Sequence, residues 1–305
     1  MKRTTLATYD AQFWNVMRGL AGITDIEEPM IDRATGELLL PDGDTEKLNA
    51  AITGESVFRS IATVVGSYDA GERIFAHDTD DIAAWVPEGG SIPIQDGMKD
   101  FTVYPIDSHK LAVLVKLTEE FVNDSAFFIE DYLIQRLGRS FGRAEDAAFL
   151  TGTGNTMPTG ILNETSGAET AVTASSITFD DIIELYYSLD KEYRRNAVWL
   201  LNDETALALR TLKDSSGNYL WDSGDGTILG KPVQISYDMP SAEAGKLPVL
   251  FGDFSYYWII LRRPVGVRVL NETFAKQGQI GYLASEFLDG MLIRREAVKA
   301  LKITG

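Results

Sequence analysis

Residues 151 to 162 read TGTGNTMPTGIL, a glycine and threonine cluster of the kind whose backbone N–H groups can cradle a phosphate. A nucleotide loop of the G-x-x-x-x-G-K-[ST] type needs a lysine behind its last glycine and a helix after it. Gly152, Gly154 and Gly160 have no such lysine, and they follow a helical pattern instead of preceding one. The dinucleotide fingerprint fails on the same context. The stretch therefore reads as a turn, with Gly152 ending the helix and Pro158 barring its renewal.

The other reactive residue types point the same way. The chain has two histidines, His77 and His109, both in a segment patterned as a β-ribbon, where they could flank each other across the strands. A metal site would need further ligands, and a serine triad would need a nucleophile elbow that is absent. The pairs Asp180-Asp181 and Glu119-Glu120 stand at helix starts, where carboxylates offset the helix dipole. Tyr256, Tyr257 and Trp258 alternate as core residues of a strand would, and Arg262-Arg263 and Arg294-Arg295 mark strand ends. No cysteine is present, which removes disulfides, thiolate nucleophiles and cysteine-ligated zinc together. No cofactor or metal is expected.

Composition limits the partners. The 305 residues hold 45 acidic against 28 basic side chains, a formal charge of -17. Such a chain repels phosphate backbones unless its few cations gather on one face, so sequence-specific reading of nucleic acid is not expected. Apolar runs such as LAVLVKL and YYWIIL are too short to span a bilayer, and no apolar signal core opens the chain.

The elements that would position these residues are those of an α+β chain. Residues 1–50 form an acidic arm that by itself buries little. Residues 68–112 read as an extended β-ribbon with Gly89, Gly90, Pro93 and Gly97 near its tip, too long and narrow to be stable alone. After Thr118 and Asp124, two candidate caps, Ile129, Leu133, Leu137 and Phe141 recur at four-residue spacing, with Ala144 and Ala148 continuing the stripe and Glu130, Arg136, Arg139, Arg143 and Asp146 opposite. Past Ser176 a compact mixed domain begins, with Thr178 and Asp181 as a capping box and Asn202 as a second cap. Asp289-Gly290 reads as a hairpin turn between closing strands.

This order of elements, together with AAWVPEGGSIP, KLAVLVKLTEEFVNDS, GRAEDAAFLTGTGNTMPTGIL, LKDSSGNYLW, LGKPVQIS, LFGDFSYYWI and REAVKALK, resembles the major capsid protein of tailed bacteriophages with the Hong Kong phage-type fold. The resemblance runs from about residue 55 to the end. It implies a non-enzymatic shell subunit with an extended loop, an axial domain at 179–264, and a peripheral domain at 51–67, 113–178 and 265–305. Its partners would be many copies of itself in capsomers of five and six, a separate scaffolding protein, a portal and a maturation protease. The shell would enclose double-stranded DNA, assembled in the bacterial host cytoplasm and found in the virion. Inter-subunit contacts would fall on Trp85, Pro87, Glu88, Arg262, Arg263, Arg294 and Arg295.

Some relatives weld subunits through a loop lysine, an asparagine and a glutamate. On that pattern Glu286 in LASEFLDG stands for the glutamate, Gln279 occupies the place of the asparagine, and Lys99 is the loop lysine; alternatively, Glu286 only forms structural ion pairs. Two rival functions remain open at this point, an encapsulin-type compartment around cargo enzymes and a soluble carboxylate hydrolase.

Overall fold

A computed structural model describes residues 3–26, 30–32, 35–67, 73–77, 85–88, 91, 101–124, 128–221 and 226–304. The first part of the chain forms α1 (Arg3–Met17), β1 (Leu38–Leu39), α2 (Asp42–Glu55), α3 (Val57–Ile61), β2 (Thr63–Gly66), β3 (Arg73–His77), β4 (Phe101–Pro105), β5 (His109–Thr118), α4 (Glu119–Val122) and α5 (Ile129–Thr151). There follow β6 (Glu169–Ala174), α6 (Phe179–Ser188), α7 (Lys191–Arg194), β7 (Val198–Leu201), α8 (Asp203–Arg210), β8 (Thr227–Ile228), β9 (Lys231–Ile235) and β10 (Val249–Gly252). The chain closes with β11 (Tyr257–Leu270), α9 (Asn271–Phe274), β12 (Gln279–Leu292) and β13 (Val298–Ile303).

Two sheets carry the fold. One has the order β1-β11-β12-β5, with β2 also pairing β11, and the other runs β6-β13-β10-β7-β9-β8. The second sheet draws β6 and β13 from outside residues 179–264, whereas β11 begins inside that range and lies in the first sheet. β7 and β10 read VWLL and VLFG and are buried along their whole length. Strands covered on both faces lose the polar alternation that solvent imposes on a half-exposed strand.

The 23-residue α5 lies along β12 and buries Ile129, Leu133, Leu137, Phe141 and Phe149. Gly138 and Gly142 sit where it crosses α2. A methyl group at 138 would fall 2.5 Å from the Ala51 side chain, so the two helices approach as closely as they do only because that surface is bare. Thr118 caps α4 through the Phe121 N–H, as expected, but α5 starts behind Phe128 instead of at Asp124.

Three expectations are corrected. The N-terminal segment does bury apolar surface: α1 places Tyr9, Phe13, Trp14 and Met17 in the core beneath α5 and β12. Trp14 Nε1 donates to Asp44 at 2.7 Å and the Tyr282 hydroxyl to the Met17 carbonyl at 2.8 Å, fixing the helix in place. Asp289-Gly290 is no hairpin turn but the interior of β12, opposite Ile260 and Ile259 on β11. Burial decides this: Gly290 leaves room for the Phe149 ring, and Asp289 accepts the Asp107 N–H at 2.8 Å. The histidines do not flank each other, because His77 pairs with Phe101 inside the ribbon while His109 pairs with Leu288 in the sheet.

β11 is one 14-residue strand where YYWIIL and VGVRVLN suggest two. Its register with β12 shifts between Leu261 and Gly266, and Pro264, unable to donate to the ladder, sits in that irregular stretch. β3 and β4 form the described part of the ribbon as an antiparallel pair.

Candidate functional site

The ribbon presents its two faces to different surroundings. Ile74 and Ala76 pack with Ile106, Ile260 and Ile293 and hold the ribbon to the body. The Tyr104 hydroxyl donates to the Ile293 carbonyl at 2.8 Å. On the opposite face Phe75 and Val103 are cross-strand partners, with Phe101 two residues along, and these are 61, 46 and 54 % exposed. Beyond them Trp85 is fully exposed, with Pro87 and Glu88 also in solvent. Three large apolar side chains in a row on a two-stranded ribbon form a surface suited to contact with another chain. Lys99 lies outside the described residues.

The paired arginines find partners inside the chain. Arg263 lies 3.4 Å from Asp32 and stacks over Phe287. Arg294 donates to the Tyr193 hydroxyl at 2.9 Å and lies over Tyr256, and Arg295 donates to the Gly167 carbonyl at 2.9 Å. Arg262 reaches the Ser67 carbonyl at 3.5 Å. All four are half-buried.

The glycine turn uses its own donors. The N–H groups of Gly152, Thr159, Gly160, Ile161 and Leu162 donate to the carbonyls of Ala148, Gly290, Gly152, Phe149 and Leu150 respectively. A phosphate cradle needs such groups free and convergent, and here they knit the helix end to the returning chain. Side chains at Gly152 and Gly160 would collide with the backbones of Pro158 and Leu150. Gly152 is the helix C-cap in an extended conformation, so closeness of approach, not left-handed backbone, explains glycine at this position. A cleft of about 500 Å³ beside the turn carries Lys246, Arg295 and Lys302 together with Glu164 and Asp238, charges that largely offset one another.

Carboxylates concentrate where α3 and α5 meet β12. Arg59 donates to both oxygens of Glu145 at 2.7 Å each. Its guanidinium lies 3.8 Å from Glu286 Oε2, while Glu286 Oε1 has no hydrogen-bond partner. Burial, and then the neighbouring Glu145, push the Glu286 carboxyl well above the ordinary range. Asp146, expected on the solvent face, is instead buried: it accepts the Ser56 hydroxyl at 2.5 Å and the Val57 and Phe58 N–H groups, capping α3. That cap outweighs exposure because it satisfies helix-end donors that are themselves buried. Burial raises the Asp146 carboxyl despite these bonds.

Gln279 and Glu286 are not brought together within one chain. Gln279 opens β12 and Glu286 stands seven residues on, about 23 Å away at 3.3 Å per residue. Sequence reasoning passed over Arg59 and Glu145. A signal for Glu145 was present, since it stands four residues from both Phe141 and Phe149, on the apolar stripe itself. His109 sits 3.6 Å from Asp289 where β5 leaves the ribbon. Among the described residues no cluster could hold a metal ion, and no helix is long and apolar enough to cross a membrane.

These features have counterparts in known proteins. The capsid structure of an empty GTA particle is 31 % identical, with a TM-score of 0.64, over 82 % of this chain and 90 % of that one. The capsid of the native GTA particle is 30 % identical, with a TM-score of 0.63, over 81 % and 90 %. A structure from Gordonia phage Cozz shares the fold at 15 % identity, with a TM-score of 0.58, over 82 % and 87 %. A capsid polyprotein of Pseudomonas phage PAJU2 is 25 % identical over 182 residues, 57 % of this chain, and the match spans only 27 % of that relative's length. The observed architecture is the Hong Kong phage-type α+β capsid fold expected from the sequence. With the model of the phage capsid family matching residues 36–303, the chain belongs to that family.

Proposed function

We propose that this chain is a major capsid protein that self-assembles, in capsomers of five and six copies, into the icosahedral shell around the double-stranded DNA of a tailed phage or prophage. The observation that carries the reading is the ribbon, whose inner face is anchored to the body while Phe75, Phe101 and Val103 stand largely exposed on its outer face. A repeated, closed assembly satisfies such a surface on every copy. The match to GTA and phage capsids supports this reading over a compartment for cargo enzymes.

In this account residues 179–264 contribute the axial domain, the spine helix α5 belongs to the peripheral domain, and the ribbon lies over an adjacent subunit with Trp85, Pro87 and Glu88 at its contact. The work of the protein is structural, and its partners include a scaffolding protein, a portal and a maturation protease. The four arginines that hold the chain together internally contribute to subunit contacts through the faces they leave open. Glu286 acts as a structural group, not in a cross-link with Gln279 and Lys99. Electron microscopy of the expressed protein tests the proposal: closed particles of megadalton mass are expected, and a small soluble oligomer would overturn it. Denaturing gels of mature particles are expected to show one band at the monomer mass.

A further inference from the structure

α5 and β12 meet along a seam that is apolar except at one layer. On the helix the four-residue stripe runs Leu133, Leu137, Phe141, Glu145, Phe149, and on the strand the matching face runs Tyr282, Ala284, Glu286, Leu288. Phe141, Tyr282 and Ala284 belong to one apolar cluster, Phe149 and Leu288 to another. Glu145 and Glu286 thus stand between two apolar clusters, and Arg59 enters the same layer from α3. All three side chains are 4 % exposed or less.

The charges in that layer do not balance. One guanidinium, already used bidentately by Glu145, faces two carboxyl groups, and one oxygen of Glu286 has no partner. Among the described residues no other cation enters. Lys110 on β5 reaches Glu37 at 3.8 Å, and Ser285, whose side chain points to the opposite face from Glu286, donates to Glu37 at 2.5 Å. Arg263 on β11 is taken up by Asp32, His109 on β5 by Asp289 of β12, and Asp146 on α5 by Ser56 and the start of α3. With both carboxyl groups ionised, the layer would hold an uncompensated buried negative charge.

We propose that Glu286 carries a proton where it faces Glu145 and Arg59, and that these three side chains form a proton-operated joint between the spine helix and β12. With the proton in place the layer is neutral and the two apolar clusters close on it; removing the proton drives the second half of α5 away from the strand. The sign follows from burial. The folded chain retains a proton that the unfolded chain gives up in the ordinary carboxylate range, so the stability held by this group is full below that range and lost as pH rises toward the folded value. The joint lies within one chain and stands independently of the shell assembly.

Infrared spectroscopy of the full-length protein at neutral pH tests for that proton directly. The carbonyl stretch of an un-ionised carboxylic acid is expected in the wild type and is expected to disappear in E286Q. It should also disappear in E145Q, where the remaining carboxyl group has Arg59 to itself. Hydrogen exchange across residues 140–151 is expected to quicken as pH rises in the wild type and to stay level in E286Q. The Tm of E286Q should exceed that of the wild type by about 2–4 °C at pH 8, a gap that closes under acid conditions. Absence of the acid band from the wild type, its full persistence in both variants, or exchange that rises equally with pH in E286Q would each overturn the proposal.

Discussion

The six-stranded sheet and the ribbon are both β-structure, yet they are completed differently. In the sheet, β7 and β10 are buried residue by residue, and Trp199 stacks on Phe251 with ring centroids 4.1 Å apart, its indole N–H donating to the Ile228 carbonyl. In the ribbon, β3 and β4 bury one face and leave Phe75, Phe101 and Val103 on the other. The sheet is satisfied by the chain that contains it. The ribbon's outer face stays largely exposed, and that difference separates residues that hold the subunit from residues placed at its surface.

The contrast breaks most readily at the sheet. Trp199→Ala should destabilise the chain by about 3–5 kcal/mol through the cavity it leaves, read as a loss of midpoint in denaturant unfolding, and particles should fail with it. Gly160→Lys comes next, because its side chain would enter the backbone of Leu150. It should cost about 1–3 kcal/mol, the range for overpacking, lower the yield of closed shells, and create no nucleotide binding by calorimetry. Thr178→Ala removes a capping box in which the hydroxyl accepts the Asp181 N–H, at a cost of about 1 kcal/mol. The ribbon triple variant, with Phe75, Phe101 and Val103 all changed to serine, should shift the unfolding midpoint least, by an amount near the roughly 0.5 kcal/mol of surface changes, while abolishing particles in light scattering. If it unfolded the chain as Trp199→Ala does, the contrast between the two regions would be lost. A milder probe is salt: at -17 per copy, particle yield should rise with ionic strength as repulsion is screened.

Much of this was legible in the sequence because the signals were local. The caps at Thr118, Thr178 and Asn202 all form, as each depends on a side chain reaching an N–H three residues away. The α5 stripe follows from its period, and the turn reading of TGTGNTMPTGIL from the missing lysine. The errors came where a local signal met a distant partner. Asp289-Gly290 has the dipeptide of a turn, yet β11 pairs with it and Phe149 packs on its glycine. Asp146 looked exposed because its partners, Ser56 to Phe58, come from a segment about ninety residues earlier. α1 looked unable to bury much because its apolar face matches surfaces on α5 and β12, which no neighbouring residue announces.

The amino-acid sequence alone determined the apolar stripe of α5, the caps at Thr118, Thr178 and Asn202, the turn reading of TGTGNTMPTGIL and the order of segments that resembles a phage capsid protein. Those follow from backbone geometry and side-chain chemistry within a few residues. Only the tertiary structure decided that Glu145 and Glu286 share Arg59, that the paired arginines are engaged internally, and that the ribbon keeps large apolar side chains exposed on one face. Burial and charge compensation between segments far apart in the chain exist only once the fold has brought them together, so no spacing along the sequence encodes them.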